Sequence, residues 1–524
     1  MRKLSTLFCA VLMTLSAMAT DYKGNLTVSI NGEGSTQPAT ISIVENAGKY
    51  NLSILNFMLG EGESVLPVGN IVIENVTGAV AGNLTTLYVN KNITIQKGNV
   101  AGIADDAWLG PMLGEVPVKM SSSFNTNGFL GVNIDIDMVS TLGQVIKVTF
   151  ENVGNHFQMP NSDFETWSNE NNAPKHWHGF ESVKGKLSGT AKSKTKLVSS
   201  KNVRPGSKGL TSAVVTSTKV FTVIANGTMT NGVLNAGSMS AADASNHSET
   251  DLSSTSKDAN GDPFATPMYA KPDSVKFWMR FTQAKAQASY PYAAFNAVIT
   301  DGTYYQDPEN KTYTNKVAVA APNKADMTVG DWRLVSCPFD YASYAANGAE
   351  AKAILLTVST NATPGKGSYS NGVADSVYVD DLELVYLADI KSVSFKGATL
   401  DLTNTDIDIA DDDVISASDF VVEKKGEDAK VTTLVEANAK GYQAVISVVS
   451  GDLNTQKTLV FNFNKPVWAD GDVNHDGVVD LADVTLLINK VLGDDATQIY
   501  NPDVNGDGNV DVADVSTLVS LILG

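Results

Sequence analysis

Apolar and polar residues alternate with a period of two through the first third of the chain: Leu26-Thr-Val-Ser-Ile30, Ile71-Val-Ile73, Ile93-Thr-Ile95, Val132-Asn-Ile-Asp-Ile-Asp-Met138 and Ile146-Lys-Val-Thr-Phe150. A strand throws successive side chains to opposite faces, so these runs predict antiparallel strands with one buried and one wet face. Gly and Asn punctuate them. Short strands without a long helix over about 130 residues predict a closed up-and-down barrel. A barrel of eight strands is filled by its own side chains or holds one small ligand, and the filled form is favoured here.

Further on, the strand-like runs are separated by long polar loops: Ala213-Val-Val-Thr216, Ser274 to Phe281, Ala351 to Val358 and Val377 to Tyr386. An all-β sandwich of jelly-roll type accounts for them economically. In the last run Val377 and Val379 share one parity, while Leu382, Leu384 and Tyr386 share the other. One face stays buried only if a bulge near Asp380-Asp381 shifts the register, which would aim two carboxylates together. Lys391 to Phe395, Phe420 to Val422, Gln443 to Val449 and Thr458 to Phe463 predict a small immunoglobulin-type sandwich, read as a spacer. The period then becomes helical. Val484, Leu487, Ile488 and Val491 are matched by Val515, Leu518, Val519 and Ile522, two stripes at i, i+3, i+4 and i+7.

Before each stripe stands a twelve-residue acidic loop, Asp472 to Asp483 and Asp503 to Asp514, and the two align without a gap. A calcium ion wants six to eight hard oxygens at about 2.4 Å, which such a loop offers from positions 1, 3, 5, 7 (carbonyl), 9 and 12. Those positions are Asp472, Asn474, Asp476, Val478, Asp480 and Asp483 in the first loop, and Asp503, Asn505, Asp507, Asn509, Asp511 and Asp514 in the second. Gly477 and Gly508 fill position 6, where the chain turns through a left-handed conformation. Asp, Asn and Gly also make ordinary turns, but spacing, glycine and acids recur here in register. Pro466 and Gly471 flank the first loop and Pro502 precedes the second, so neither has an entering helix. They are half EF-hands, each predicted to hold one Ca2+.

Charge sharpens this picture. The chain carries a formal charge of −19, and from Asp470 onward eleven Asp stand against the single Lys490, a net of −10. Such crowding is tolerable with cations present, and the overall sign excludes nucleic acid as a partner. Arg2 and Lys3, the apolar Leu7 to Leu15 and Ala17-Met-Ala19 read as a signal peptide over residues 1–19. No later stretch reaches the roughly 20 apolar residues of a membrane span. The expected fate is export. With Cys9 removed, Cys337 stands alone in an apolar strand, so no intrachain disulfide forms and the thiol is read as buried and inert.

The tail, over residues 469–524, resembles a type I dockerin, the module that attaches proteins to cohesin receptors, and the Asp at position 12 fits that pattern. The resemblance implies a cohesin-type partner, contacted through residues 10 and 11 of each loop, here Leu481-Ala482 and Val512-Ala513, in two opposite orientations. The alternative is that Leu481 and Val512 only pack the helix starts. Residues 20–155, through Tyr22-Lys-Gly-Asn-Leu-Thr-Val28, Lys49 to Phe57 and Val148-Thr-Phe150, resemble the calycin-like β-barrel domain of exported proteins from Gram-negative gut bacteria, which implies a periplasmic, cell-surface or secreted location in such a bacterium. Residues 156–388 resemble a jelly-roll carbohydrate metabolism domain. The motifs are Asn161 to Trp167 with Pro174-Lys-His-Trp177, Ala225 to Gly232, Lys271 to Val275 and Tyr378 to Leu384. That resemblance implies one further structural calcium, with Asp163, Glu165 and Asp381 as candidate ligands. Residues 389–466 complete the division as the spacer.

Sugar binding usually uses exposed aromatic rings. Trp167, Trp177, Tyr304 and Tyr305 lie in loop-like settings, whereas Trp278 and Trp332 sit in apolar strands and read as core. His176 and His178 share a strand face suited to zinc, but no third ligand lies near in sequence, which favours a structural role. No phosphate loop, His-Glu-x-x-His helix or nucleophile elbow is present. Two readings remain open with a third behind them. The first is a non-catalytic scaffold or polysaccharide-binding protein docked through its tail. The second is a glycan hydrolase, whose two carboxylates, about 5 to 10 Å apart, no motif picks out. The third is a carrier of a small lipophilic ligand in the barrel.

Overall fold

A computed structural model describes residues 19–60, 65–152, 157–168, 173–194, 197–494, 496 and 498–524. The signal-peptide reading, with Arg2, Lys3 and Cys9, lies outside these residues except at Ala19. Two compact units divide the chain. The first comprises 1–392, 422–432 and 446–458, and the second 393–421, 433–445 and 459–524. The strands between 389 and 466 are therefore apportioned between both. Among the described residues no helix is long and apolar enough to cross a membrane.

In the first unit, β1 (Ala19–Ile30), β2 (Glu33–Asn46), β3 (Lys49–Leu59), β4 (Leu66–Ala81), β5 (Leu84–Thr94), β6 (Glu115–Asn125), β7 (Leu130–Met138) and β8 (Gln144–Asn152) form a closed barrel in sequence order. β1 closes on β8 with Leu26 opposite Phe150 and Val28 opposite Val148. Gly24 is required at this seam. A Cβ there would lie 1.9 Å from the Glu151 carbonyl oxygen and 2.6 Å from the Phe150 ring. The alternation read from sequence is visible in β1, where Tyr22, Leu26 and Val28 are buried between wetter neighbours. A contiguous cluster that includes Leu26, Ile41, Leu52, Ile73 and Met120 occupies the interior, so the barrel is filled by its own side chains.

The same unit contains a two-sheet antiparallel sandwich. One sheet orders Gly330–Pro338, Ser274–Thr282, Ser376–Val385, Ser212–Thr216 and Leu197–Ser200. The other orders Thr228–Thr230, Ala353–Ser359, Ala294–Thr300 and Lys316–Ala320. Neighbours distant in sequence are the mark of a jelly roll. Val275, Phe277, Met279 and Phe281 of the first sheet meet Phe295, Ile354, Leu356 and Val358 of the second, and Phe277 stacks on Phe295 at 4.1 Å. Cys337 is buried here, and burial pushes its thiol up to about 12, which keeps it protonated and inert. The expected bulge is present: Lys276 faces Glu383 while Trp278 faces Asp380, and Asp381 takes φ +43°. Trp278 and Trp332 are not core. Both are half-buried on the outer face of their sheet, where Arg204 lies over Trp278 at 5.3 Å. An apolar run contributes only alternate residues to one side, and a guanidinium over a ring shields the other.

Residues 422–432 and 446–458 belong to this unit and touch both of its lobes. The hydroxyls of Thr86 and Thr432 meet at 2.6 Å, Val449 and Leu453 pack on Leu84, and the Glu427 amide donates to Asp273 Oδ1 at 2.8 Å. These stretches of the expected spacer are therefore packed against the barrel and the sandwich. In the second unit, parts of Asp406–Asp408, Gln456–Asn464, Gly441–Val449 and Lys430–Asn438 form a sheet in that order, with Phe395, Phe420 and Phe463 clustered beside it. The tail contributes two helices, Leu481–Val491 and Val512–Leu523.

Candidate functional site

Each tail helix starts on the carboxylates of its own loop. Asp480 caps the first and accepts from the Ala482 amide at 2.7 Å, while Asp483 accepts in return from the Asp480 amide at 2.9 Å. Asp511 and Asp514 repeat this capping box at 2.7 and 2.8 Å. Loop positions 9 and 12 are thus also the helix cap and third residue, which couples loop order to helix order. Asp472 accepts from the Asp476 and Gly477 amides at 3.2 and 2.9 Å, and Asp503 from those of Asp507 and Gly508 at 3.1 and 2.8 Å. Gly477 and Gly508 take φ +91° and +87°, the left-handed turn expected of position 6. Asp472, Asp483 and Asp514 are buried. Among the described residues no three carboxylate, imidazole or thiol groups crowd closely enough to hold a metal by themselves. A cation here would also draw on Asn474 or Asn505 and on the carbonyl at Val478 or Asn509. That set of hard oxygens fits Ca2+ and lacks the nitrogen and sulfur that zinc prefers.

The helices pack on each other through Val484, Leu487 and Leu518, with Val473 completing a small core. The rest of each stripe is not consumed. Ile488, Val519 and Ile522 are exposed, so the predicted mutual burial holds for only half of each stripe. Leu481 and Val512 are 75% and 67% exposed, and Ala482 and Ala513 are exposed as well. Leu481 and Val512 therefore do not pack the helix starts; they stand in solvent beside the loops. His475, at position 4 of the first loop, lies between Trp468 at 4.6 Å and Tyr500 at 4.0 Å, both rings nearly parallel to it. This stack joins the segment before the first loop to the segment before the second. Sequence reading missed it because its members come from three separate segments.

Two family models match the chain, the Calycin-like beta-barrel domain over residues 18–153 and the Dockerin type I domain over residues 470–523. The tail is a type I dockerin. No curated protein matches the chain. Among solved structures, a candidate outer membrane protein from Bacteroides fragilis aligns at 10% identity over 65% of this chain and 96% of its own, with a TM-score of 0.18. The N-terminal CBM22 tandem from Paenibacillus barcinonensis Xyn10C aligns at 10% identity over 70% and 93%, with a TM-score of 0.20. Scores this low establish no common fold.

Away from the dockerin, the sandwich corrects several expectations. Trp177 is fully buried against Phe164 and its indole donates to the Pro160 and Asn161 carbonyls, and Tyr305 is equally buried. Neither presents a face to a sugar, because the core draws these large rings in from polar stretches. Trp167 is half-buried with its indole N–H on the Phe164 carbonyl. Tyr304 alone of the four is exposed, and its hydroxyl meets Glu249 at 3.0 Å and Gln306 at 3.1 Å. The jelly-roll calcium set does not assemble. Asp381 pairs with the Arg204 guanidinium, while Glu165 accepts from the Leu210 and Thr211 amides at 3.0 and 2.8 Å. Asp163 is exposed and accepts from the Glu165 amide at 3.4 Å. The bulge does aim both carboxylates at one residue, since buried Asp380 accepts from the Arg204 amide at 3.0 Å. Burial pushes Asp380 up to about 6.

His176 and His178 acquire partners distant in sequence. Asp262 lies 3.5 Å from His176 and Asp258 lies 3.7 Å from His178. His178 is buried and desolvation lowers it to about 4, so it is neutral at physiological pH. These contacts set an acid beside each ring, and among the described residues they do not close a three-ligand metal group.

Proposed function

We propose that this chain is an exported, non-catalytic glycan-binding or scaffold protein that joins a polysaccharide-handling assembly through its dockerin, which holds two Ca2+ and docks to a cohesin-type partner. In this reading Asp472, Asn474, Asp476, Val478, Asp480 and Asp483 hold one ion, and Asp503, Asn505, Asp507, Asn509, Asp511 and Asp514 hold the other. Leu481-Ala482 and Val512-Ala513 are the partner-facing pairs, related by the near-repeat so that either can be used. The jelly roll over 156–388 is the glycan-binding part, the barrel over 20–155 is a structural domain, and a signal peptide over 1–19 directs export.

The observation that carries this reading is that two loops with the same capping and hydrogen-bond pattern each leave an exposed apolar residue beside the cation ring. Bare, such loops hold many carboxylates together at a cost that bound cations relieve. The test is affinity capture of cohesin-bearing proteins by the full chain, with Ca2+ and with chelator. Capture with Ca2+ that is lost on chelation, and in the Asp483→Ala/Asp514→Ala double variant, supports it. Capture that ignores both overturns it.

A further inference from the structure

The face of the second sheet turned away from the sandwich core forms the floor of a cleft. In strands Ala294–Thr300 and Ala353–Ser359, Phe295, Ala297, Ile354, Leu356 and Val358 enter the core. Alternation sends Asn296, Thr357 and Ser359 to the other side. Strand register lines up Thr230, Thr357 and Asn296 in one row and Thr228, Ser359 and Ala294 in the next. The Thr228 and Ser359 hydroxyls are 3.0 Å apart. Above this polar floor stand apolar walls, among them Leu187, Val220, Val223, Met239 and Ala362, and they enclose a cleft of about 460 Å³.

Three of its lining residues carry a buried polar atom with no hydrogen-bond partner among the described residues, Ser248 Oγ, Thr357 Oγ1 and Asn226 Oδ1. Ser248 is only 1% exposed. Asp307 also lines the cleft, hydrogen-bonded to Asn296, and burial pushes its carboxyl upward. Nearby Glu249 is pushed up by burial, but hydrogen bonds from His247, Lys184 and Tyr304 outweigh this and hold it down to about 2, so it stays ionised. No Lys or Arg is among the described residues that line the cleft.

We propose that this cleft is the glycan-binding site of the sandwich and takes the end of a neutral oligosaccharide. The inference rests on the glycan-binding reading above and moves the site away from the aromatic residues named from sequence. A sugar carries hydroxyls for the polar floor of Asn296, Thr228 and Ser359 and C–H faces for the aliphatic walls. A purely lipophilic occupant takes water from Asn296, Thr228 and Ser359 and returns no hydrogen bond, which is costly. An anionic sugar meets acid and no cation. The volume falls in the range of roughly 300 to 1,000 Å³ usual for small-molecule sites and suits a chain end better than a long polymer segment.

Calorimetric titration of the full chain in Ca2+ tests this with short neutral oligosaccharides, the matching uronic-acid oligosaccharides and dodecanoate as probes. The cleft variants are Ala362→Trp, at an exposed rim position, and Thr357→Val. Tyr304→Ala and Trp332→Ala probe the competing aromatic surfaces, and unchanged thermal midpoints verify folding. Expected are binding of neutral sugars, loss of it in Ala362→Trp, about tenfold weakening in Thr357→Val and no effect of the aromatic variants. Sugar binding that survives both cleft changes but falls with Tyr304→Ala or Trp332→Ala overturns the cleft while leaving the glycan-binding reading intact. Dodecanoate binding there in place of sugar overturns the cleft assignment, and no binding by any neutral sugar removes the glycan-binding reading with it.

Discussion

The barrel and the tail solve the problem of staying folded in opposite ways. Among the described residues the barrel closes on a cluster of twenty-three buried apolar residues to which all eight strands contribute, whereas the tail has a cluster of four, Val473, Val484, Leu487 and Leu518. The barrel strands alternate, and Leu55, Leu66, Val80 and Val145 are the exposed large apolar side chains among their described residues, few for the length of the domain. The tail leaves Leu481, Leu492, Val512 and Leu523 in solvent and crowds acid beside them. A domain that spends its apolar residues on its own core has few left for a partner. A domain with a small core and exposed apolar residues beside carboxylate rings depends on a cation for order and on a partner for burial.

Chelation breaks this comparison most completely. With Ca2+ at a thousandfold excess over its dissociation constant, each ion bound should contribute about 4 kcal/mol to the tail and nothing to the barrel. Excess chelator should abolish the far-ultraviolet helical signal of Leu481–Val491 and Val512–Leu523 and leave the near-ultraviolet signal of the barrel and sandwich unchanged. Helicity that persists after chelation would place the tail's stability in its packing and remove the contrast.

The reverse experiment is next in size. Phe277 is fully buried and stacked on Phe295, and Phe277→Ala should cost about 3 to 5 kcal/mol through lost burial and a cavity. Thermal melting should show that loss in the first unit while Ca2+ titration of the tail is unaltered. A shift of both together would mean that the two units unfold as one.

Removing the exposed pair separates partner binding from stability. Leu481→Ser or Val512→Ser alone should weaken cohesin capture by less than about threefold, because the other repeat still serves, and both together by about a hundredfold. Neither should move the thermal midpoint, since the side chains are exposed. Loss of capture in either single variant would mean that one orientation alone is used.

Much of this contrast was legible before any coordinate. Period-two runs ending at Phe150 required a barrel, and the parity slip between Val379 and Leu382 required the bulge that Asp381 supplies. The acidic loops were readable because every position of the pattern lies within twelve consecutive residues. What sequence could not show lies in pairings across distance. Trp177 is called inward by Phe164, Trp278 and Trp332 lie on the outer face with Arg204 over the Trp278 ring, and Trp468, His475 and Tyr500 stack from three separate segments. The cleft floor needs Asn296 opposite Thr357, a register that no local pattern reveals.

The smallest effect concerns how the two regions answer acid. The tail's carboxylates lie in hydrogen-bonded loops suited to a cation, but the sandwich buries a base. His178 is lowered to about 4 by desolvation, with Asp258 and Asp262 opposing. Below its ordinary value of 6.5 the unfolded chain takes up a proton that the folded state refuses until about pH 4. The unfolded state therefore binds more protons across that window, and stability falls as pH falls through it. Asp380, raised to about 6 by burial, acts with the opposite sign, since the folded state gains its proton first. The two partly cancel in the parent protein. Comparing denaturant midpoints of the parent and His178→Gln from pH 7 to pH 4 isolates the histidine, and the variant should lose less stability on acidification by about 2 kcal/mol. Parallel curves would show that His178 takes up its proton in the folded sandwich as readily as in the unfolded chain, with Asp258 compensating for burial.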